Sequence, residues 1–133
     1  MNEDLLKAYL TTNYIFEDFN LRINENHDAF RKYCEERKIS SWAFLTAWNP
    51  QSKALSKEDN LMRNFELTED LANYDYTLGF GKGDDWPAEE SFFIPNIDFE
   101  KAMTLAQKYD QAAFVYGTHE SLPQLILCKD FEL

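Results

Sequence analysis

The 133-residue chain carries 24 acidic and 13 basic residues, which gives a formal net charge of −11 and an isoelectric point of about 4.5. A negative field of this size repels nucleic-acid phosphates and anionic bilayers, so we expect neither nucleic acid nor a membrane as a partner. The 44% hydrophobic content supplies a core without disulfides or a structural metal, and the length suits one globular domain over residues 1–133.

Sequence signals for export, redox chemistry and metal binding are absent. The N-terminal residues have no basic region, and no apolar stretch has the length of a signal peptide or a membrane span. Cys34 and Cys128 lie far apart and outside any CxxC pair, so we expect two reduced thiols in a cytoplasmic protein. His27 and His119 lack a second ligand at metal-binding spacing, so we expect no metal and no cofactor.

Apolar spacing in the first part of the chain predicts a helix, a hairpin and a second helix. Residues 3–11 place apolar side chains at helical spacing behind two acids, which suit the positive end of a helix dipole. Apolar positions from Tyr14 to Ile23 alternate in two registers around Glu17-Asp18, which indicates either one bulged strand or a tight hairpin, and we favour the hairpin. Residues 26–38 have the pattern of a charged amphipathic helix.

The apolar run Trp42–Trp48 predicts a buried strand that ends in a loop opened by Asn49-Pro50. Ser56 begins a capping box for a helix that continues to about Asn73. The predicted core stripe of this helix consists of Leu61, Phe65, Leu71 and Ala72. A buried strand therefore leads through a polar loop to a helix N-terminus, an arrangement in which α/β folds often bind ligands.

The second half of the chain predicts four further strands and one helix. The strands cover residues 74–82, 90–94, 112–116 and 124–128, and Asp98 caps the helix between the second and the third of them. The whole pattern indicates an α+β sandwich. Its sheet is mixed or mainly antiparallel, with about five to six strands and three to four helices packed against it.

Hydroxyl, amide and guanidinium groups cluster around the end of the 42–48 strand. The predicted ligand-binding residues are Thr46, Asn49, Ser52, Asn60, Arg63 and Trp86. Near a helix N-terminus such groups suit a carboxylate or a phosphate, so a small anion or a nucleotide is the expected ligand. Turn and capping chemistry explains the same residues without any ligand.

Glu89 and Glu90 are adjacent carboxylates and are the candidate catalytic residues. In a strand the two side chains point to opposite faces, so at most one of them enters a given pocket. At the margin of an apolar face a carboxyl acquires a raised pKa, whereas a salt bridge to Arg63 or Lys82 fits the sequence equally well.

Glycines recur with a period of two at Gly79, Gly81 and Gly83. The spacing of a nucleotide-binding P-loop is absent, and the two aspartates that follow oppose a phosphate. On one face of a strand the glycines let another group approach the backbone closely, and we favour the Trp86 ring as that group.

Two short motifs resemble those of a known family. Thr-Ala-Trp-Asn-Pro occupies residues 46–50, and Trp-x-x-Glu-Glu-Ser occupies residues 86–91. In this order they resemble small bacterial proteins that share a domain of unknown function, and the resemblance covers about residues 9–127. It implies a cytosolic single domain and marks the same loops, but it implies no reaction.

Three functions are compatible with the sequence. The first is a small cytosolic binding domain whose pocket lies at the end of the 42–48 strand. The second is a small hydrolase or transferase, with Glu89 or Glu90 as general base, Arg63 as anion clamp and Asn49 as orienting residue. The third is an acidic protein-interaction module or inhibitor, which an exposed apolar patch rimmed by acids would favour.

Overall fold

The computed structural model describes residues 3–84 and 87–128, and in them seven antiparallel strands form one curled sheet with helices on both faces. The helices are α1 (Glu3–Leu10), α2 (Asp28–Glu36), α3 (Lys57–Asp70) and α4 (Phe99–Lys108). The strands are β1 (Asn13–Phe16), β2 (Phe19–Leu21), β3 (Ser41–Leu45), β4 (Thr77–Lys82), β5 (Glu89–Pro95), β6 (Ala113–Thr118) and β7 (Gln124–Leu127). A 3₁₀ turn, Pro50–Ser52, follows β3.

The strands lie in the order β2-β1-β4-β5-β3-β6-β7, which confirms an α+β fold with an antiparallel sheet. The expected number of five to six strands is wrong, because the predicted hairpin extends this same sheet by pairing Ile15 of β1 with Phe80 of β4. The hairpin itself is confirmed: Phe16 pairs with Phe19, and Glu17 turns the chain with a left-handed φ of 49°.

The core has two layers, one on each face of the sheet. Trp42 and Phe44 of β3 pack with residues of α2 and the β1–β2 hairpin on one face. Ala43 and Leu45 pack with α3 and α4 on the other face. Because helices cover β3 on both sides, the strand is continuously apolar, and its composition needs no functional explanation.

Side chains cap the first turns of three helices, and the sequence predicts two of these caps. Ser56 Oγ accepts a hydrogen bond from the Asp59 amide at 3.1 Å at the start of α3, and Asp98 Oδ1 accepts one from the Lys101 amide at 2.7 Å at the start of α4. His27 Nδ1 caps α2 in the same way. The predicted starts of α3 and α4 are therefore confirmed.

The predicted core stripe of α3 is wrong except for Leu71, which is buried just beyond the helix. Leu61 and Phe65 are 41% and 63% exposed, and the helix ends at Asp70 rather than near Asn73. The buried positions within the helix are Asn60, Asn64 and Leu67. The helix is rotated by one residue from the apolar pattern because its asparagines bind backbone groups that follow β3.

The glycines of β4 face the layer that contains α2. A Cβ at Gly79 would lie 2.5 Å from the Ile15 carbonyl oxygen and 2.8 Å from the Phe44 ring. Gly83 lies beyond the end of β4, so only two of the three glycines belong to the strand. The predicted contact of the Trp86 ring with this face lies outside the described residues.

No helix within residues 3–84 and 87–128 has both the length and the apolar character needed to cross a bilayer.

Replacing Gly79 with alanine should lower the free energy of unfolding by about 1–3 kcal/mol, because the added methyl group collides with backbone and with an aromatic ring. Urea denaturation measures the change. Gly81→Ala is the matched control: its Cβ would have no neighbour closer than 3.8 Å, so we expect no loss of stability. Equal losses in the two variants would contradict the packing described for β4.

Candidate functional site

The β3–β5 ladder ends at the pair Leu45–Phe92, and side chains take over the hydrogen bonds of the next residues. Asn64 Oδ1 accepts a hydrogen bond from the Ala47 amide at 2.8 Å, and Asn64 Nδ2 donates one to the Glu90 carbonyl at 2.9 Å. The Thr46 hydroxyl also donates to the Glu90 carbonyl, at 2.6 Å. The chain thus stays attached to β5 through side chains after the strand ends.

Asn49 is fixed by a reciprocal pair of hydrogen bonds with Asn60. The backbone amide of Asn49 donates to Asn60 Oδ1 at 2.8 Å, and the side-chain Nδ2 of Asn60 donates to Asn49 Oδ1, also at 2.8 Å. Asn49, Gln51 and Ser52 all have left-handed φ angles, between 46° and 62°, in a loop without glycine. Backbone of this kind persists where surrounding contacts hold it, and Asn60 supplies those contacts.

Arg63 binds backbone rather than an acid. Its Nε donates to the Ala47 carbonyl at 2.7 Å, and its Nη2 donates to the Tyr109 carbonyl. The guanidinium therefore joins α3 to the loop after β3 and to the end of α4. Among the ion pairs of the described residues, neither Glu89 nor Glu90 pairs with Arg63 or Lys82.

A cavity of about 240 Å³ lies between α1, the loop after β3 and the start of β5. We call it the Glu89 cavity. Its apolar and aromatic wall is formed by Leu5, Tyr9, Trp48 and Ala54. Its polar lining is formed by Asn49, Ser52, Glu89 and Gln111. A ligand in this cavity would contact the loop that the sequence singles out.

A smaller chamber of about 60 Å³ adjoins the Glu89 cavity and shares Tyr9, Glu89 and Gln111 with it. Thr46 and Ser91 add hydroxyl groups to its lining. The partner of Glu89 in the sheet is a glycine, Gly81, which leaves the backbone of β4 uncovered at this point. The chamber has room for a few water molecules, which its hydroxyl groups can bind.

Glu89 is the acid of the cavity. Its Oε1 accepts a hydrogen bond from Asn49 Nδ2 at 2.9 Å. Burial raises the pKa of the Glu89 carboxyl, and the Asn49 hydrogen bond offsets only part of this effect. Burial likewise raises the pKa of Tyr9, although a hydrogen bond with Ser52 opposes the change. Burial therefore shifts both Glu89 and Tyr9 towards their protonated forms relative to solvent-exposed groups of the same kind.

The structure brings some of the predicted site residues together and separates others. Asn49, Ser52 and Glu89 line the cavity, and Thr46 lines the chamber. Asn60 lies behind Asn49. The residues that lie elsewhere are Arg63, which binds carbonyl groups, and Glu90, which follows Glu89 onto the opposite face of β5. Trp86 lies outside the described residues.

Tyr9, Trp48 and Gln111 are site residues that the sequence-based site omits. Tyr9 belongs to the apolar spacing of α1, where nothing distinguishes a lining residue from a core residue. Gln111 Nε2 donates to the carbonyls of Trp48 and Tyr109, and its Oε1 accepts no hydrogen bond from the described residues. The sequence shows that Gln111 directly precedes an apolar strand, but only the structure shows that it is buried.

The fold and the cavity define an antiparallel α+β protein with an acidic pocket beside its central strand. The chain belongs to the DUF3293 family of proteins of unknown function, whose family model matches residues 45–114, more than half of the 133 residues. The match runs from the end of β3 into β6 and is shorter than the 9–127 span expected from the motifs. No curated protein and no solved structure matches the chain.

Replacing Asn64 with alanine should lower the free energy of unfolding by about 1–3 kcal/mol, because the buried Ala47 amide loses its acceptor. Chemical denaturation measures the loss. Asn73→Ala, at an exposed position after the same helix, is the control and should change stability by less than about 0.5 kcal/mol.

Glu89→Gln should gain stability relative to the wild type as the pH rises from about 4 to about 7. Because the folded chain raises the pKa of Glu89 above its ordinary value of 4.5, it holds this proton more tightly than the unfolded chain does. The resulting stabilisation is complete below the unfolded pKa and is lost as the pH rises through the folded pKa. Denaturation curves at both ends of this range measure the difference, and an equal difference at both would show a solvated carboxyl.

Proposed function

We propose that this protein is a binding domain for a small molecule with a protonated amino group, which Glu89 receives in its cavity. The observation that carries the proposal is the partly buried Glu89 carboxyl, which pairs with no lysine or arginine of the described residues. Ionising a carboxyl in such a place is unfavourable unless a positive charge or hydrogen bonds compensate for the lost water. An ammonium group supplies both.

The other lining groups suit the same ligand. Gln111 contributes a side-chain carbonyl oxygen and Ser52 a hydroxyl, so an ammonium finds acceptors beside the carboxyl. The Asn49 Oδ1 atom is already occupied, because it accepts hydrogen bonds from the Leu55 backbone amide and from Asn60 Nδ2. Tyr9 and Trp48 form the aromatic part of the wall. Aromatic rings attract cations through their negative faces, and this attraction strengthens where water is excluded.

The same observations argue against the small anion or nucleotide expected from the sequence. Arg63, the expected anion clamp, binds two carbonyl groups, and no lysine or arginine of the described residues lines the cavity. A volume of about 240 Å³ also lies below the usual range of about 300–1,000 Å³ for drug-sized ligands. These features favour a compact cation.

The hydrolase or transferase hypothesis rests on Glu89 alone. Its raised pKa suits a general acid or base, but Glu90 points from the opposite face of β5 and lines the groove beside Leu61 and Phe80 rather than the Glu89 cavity. Binding of a cation uses the Glu89 carboxyl together with acceptor atoms of Ser52 and Gln111.

Phenethylamine, phenylacetate and phenylacetamide form a matched set of probes with one ring and three different head groups. Isothermal titration calorimetry should show that phenethylamine binds at least about tenfold more tightly than the other two. Glu89→Gln should weaken phenethylamine binding by about tenfold or more. Glu90→Gln removes the same charge from the opposite face of β5 and should leave binding unchanged. Preferential binding of phenylacetate would contradict the proposal.

Phenethylamine affinity should increase between about pH 5 and about pH 8, because an ammonium binds the ionised form of Glu89 and the pKa of that carboxyl is raised. Titrations in buffers of different ionisation enthalpy should detect proton release at the lower pH. Affinity that stays constant over this range, with no proton release, would mean that the amine binds away from Glu89.

A further inference from the structure

The sheet face that carries α3 and α4 is covered over only part of its width by the described helices. α4 contacts β3 and β6, and α3 lies over the end of β3 and over β5 through Asn64. Beyond β5 the same face continues across β4 and β1, where Phe80 pairs with Ile15.

Apolar side chains occupy this uncovered region. Leu78 and Phe80 project from β4 and are 48% and 40% exposed. They share the face with Phe92 of the core, since Leu78 pairs with Phe92 in the ladder. On α3, Leu61 and Phe65 are also exposed, on the flank opposite Arg63, which reaches towards α4. We call Leu61, Phe65, Leu78 and Phe80 the α3–β4 face.

The shape of the α3–β4 face suits one more helix beside α3. Leu61 and Phe80 line a single groove, which places the helix flank and the strand side by side. Helices pack about 8–10 Å apart, and neighbouring strands lie about 4.8 Å apart, so each helix covers roughly two strands. With α4 and α3 already lying over β6, β3 and β5, the next helix in this layer would lie over β4 and β1.

The charge around the α3–β4 face indicates which sign of charge such a helix should carry. Exposed acids at its margin are Glu58 and Glu69 of α3 and Asp75 before β4, and Glu90 pairs with Phe80 in the ladder. They outnumber the two neighbouring lysines, Lys57 and Lys82. The net charge of −11 opposes a second copy of the chain and any anionic surface as the occupant.

We propose that the α3–β4 face docks a basic amphipathic helix of a partner protein. Its apolar stripe packs on Leu78, Phe80 and Phe65, and its lysine or arginine side chains reach the acidic margin. Helix-in-groove recognition of this kind obtains affinity from apolar anchors at helical spacing and orientation from charge. The groove between Leu61 and Phe80 adjoins the Glu89 cavity and shares Trp48, Asn49, Ala54 and Glu89 with it, whereas Phe65 and Leu78 line neither.

A labelled peptide of about 14 residues, built of leucine and lysine so that the leucines form one helical stripe, is the probe. Fluorescence anisotropy should show that it binds the wild-type protein and that affinity falls as salt is added. A matched peptide with glutamate in place of lysine should not bind. Leu78→Ser and Phe65→Ser should each weaken binding by about tenfold.

Leu122→Ser is the control variant, because Leu122 is 39% exposed in the loop between β6 and β7, away from this face. It should bind the basic peptide like the wild type, and circular dichroism should show every variant folded. Binding of both peptides, or an equal loss in Leu122→Ser, would overturn the proposal.

The same variants and peptide also test two other possible occupants of the α3–β4 face. Sedimentation velocity that shows self-association abolished by Leu78→Ser would identify a second copy as the occupant and overturn the proposal. A tighter complex of the basic peptide with Trp86→Ala would show that the chain covers this face itself, which would also overturn it. A monomeric protein whose peptide affinity is unchanged by Trp86→Ala supports it.

Discussion

The geometry of the site depends on two asparagines of α3 that replace a strand as the hydrogen-bonding partner of the chain after Leu45. Asn64 bridges the Ala47 amide and the Glu90 carbonyl, and Asn60 holds the backbone and side chain of Asn49. Leaving one such buried backbone group unpaired costs about 1–3 kcal/mol. Side chains must therefore replace the strand hydrogen bonds where the ladder ends. The chain after β3 stays joined to β5 through Thr46 and Asn64, and the Glu89 cavity lies beside this junction.

The acidic composition acts at two scales in this protein. Across the molecule, a charge of −11 gives a field that raises the local concentration of cations and keeps copies apart. Within the Glu89 cavity, burial raises the pKa of one carboxyl, which in the proposed function binds the cation in its ionised form. A small cation and a basic helix would thus be attracted by one field but bound on opposite faces of β5, because adjacent residues of a strand point in opposite directions.

Local signals in the sequence predict the elements well, whereas the site depends on contacts between distant residues. Ser56 and Asp98 mark helix starts correctly, since a cap needs only the three residues that follow it. The core side of α3 is misjudged because Asn60 and Asn64 look like surface residues until the unpaired backbone after β3 is known. A period of two separates Glu89 from Glu90, but only the pairing with Gly81 shows which of them faces the same side of the sheet as the Glu89 cavity.

The central position of β3 has a consequence for the order in which the chain can fold. Its two neighbours, β5 and β6, both follow it in the sequence, and β6 ends at Thr118. During synthesis on the ribosome, neither edge of the apolar strand Ser41–Leu45 can therefore pair with its neighbouring strand until most of the chain has been made. Such non-local pairing makes folding slow and leaves an aggregation-prone apolar segment exposed in nascent chains.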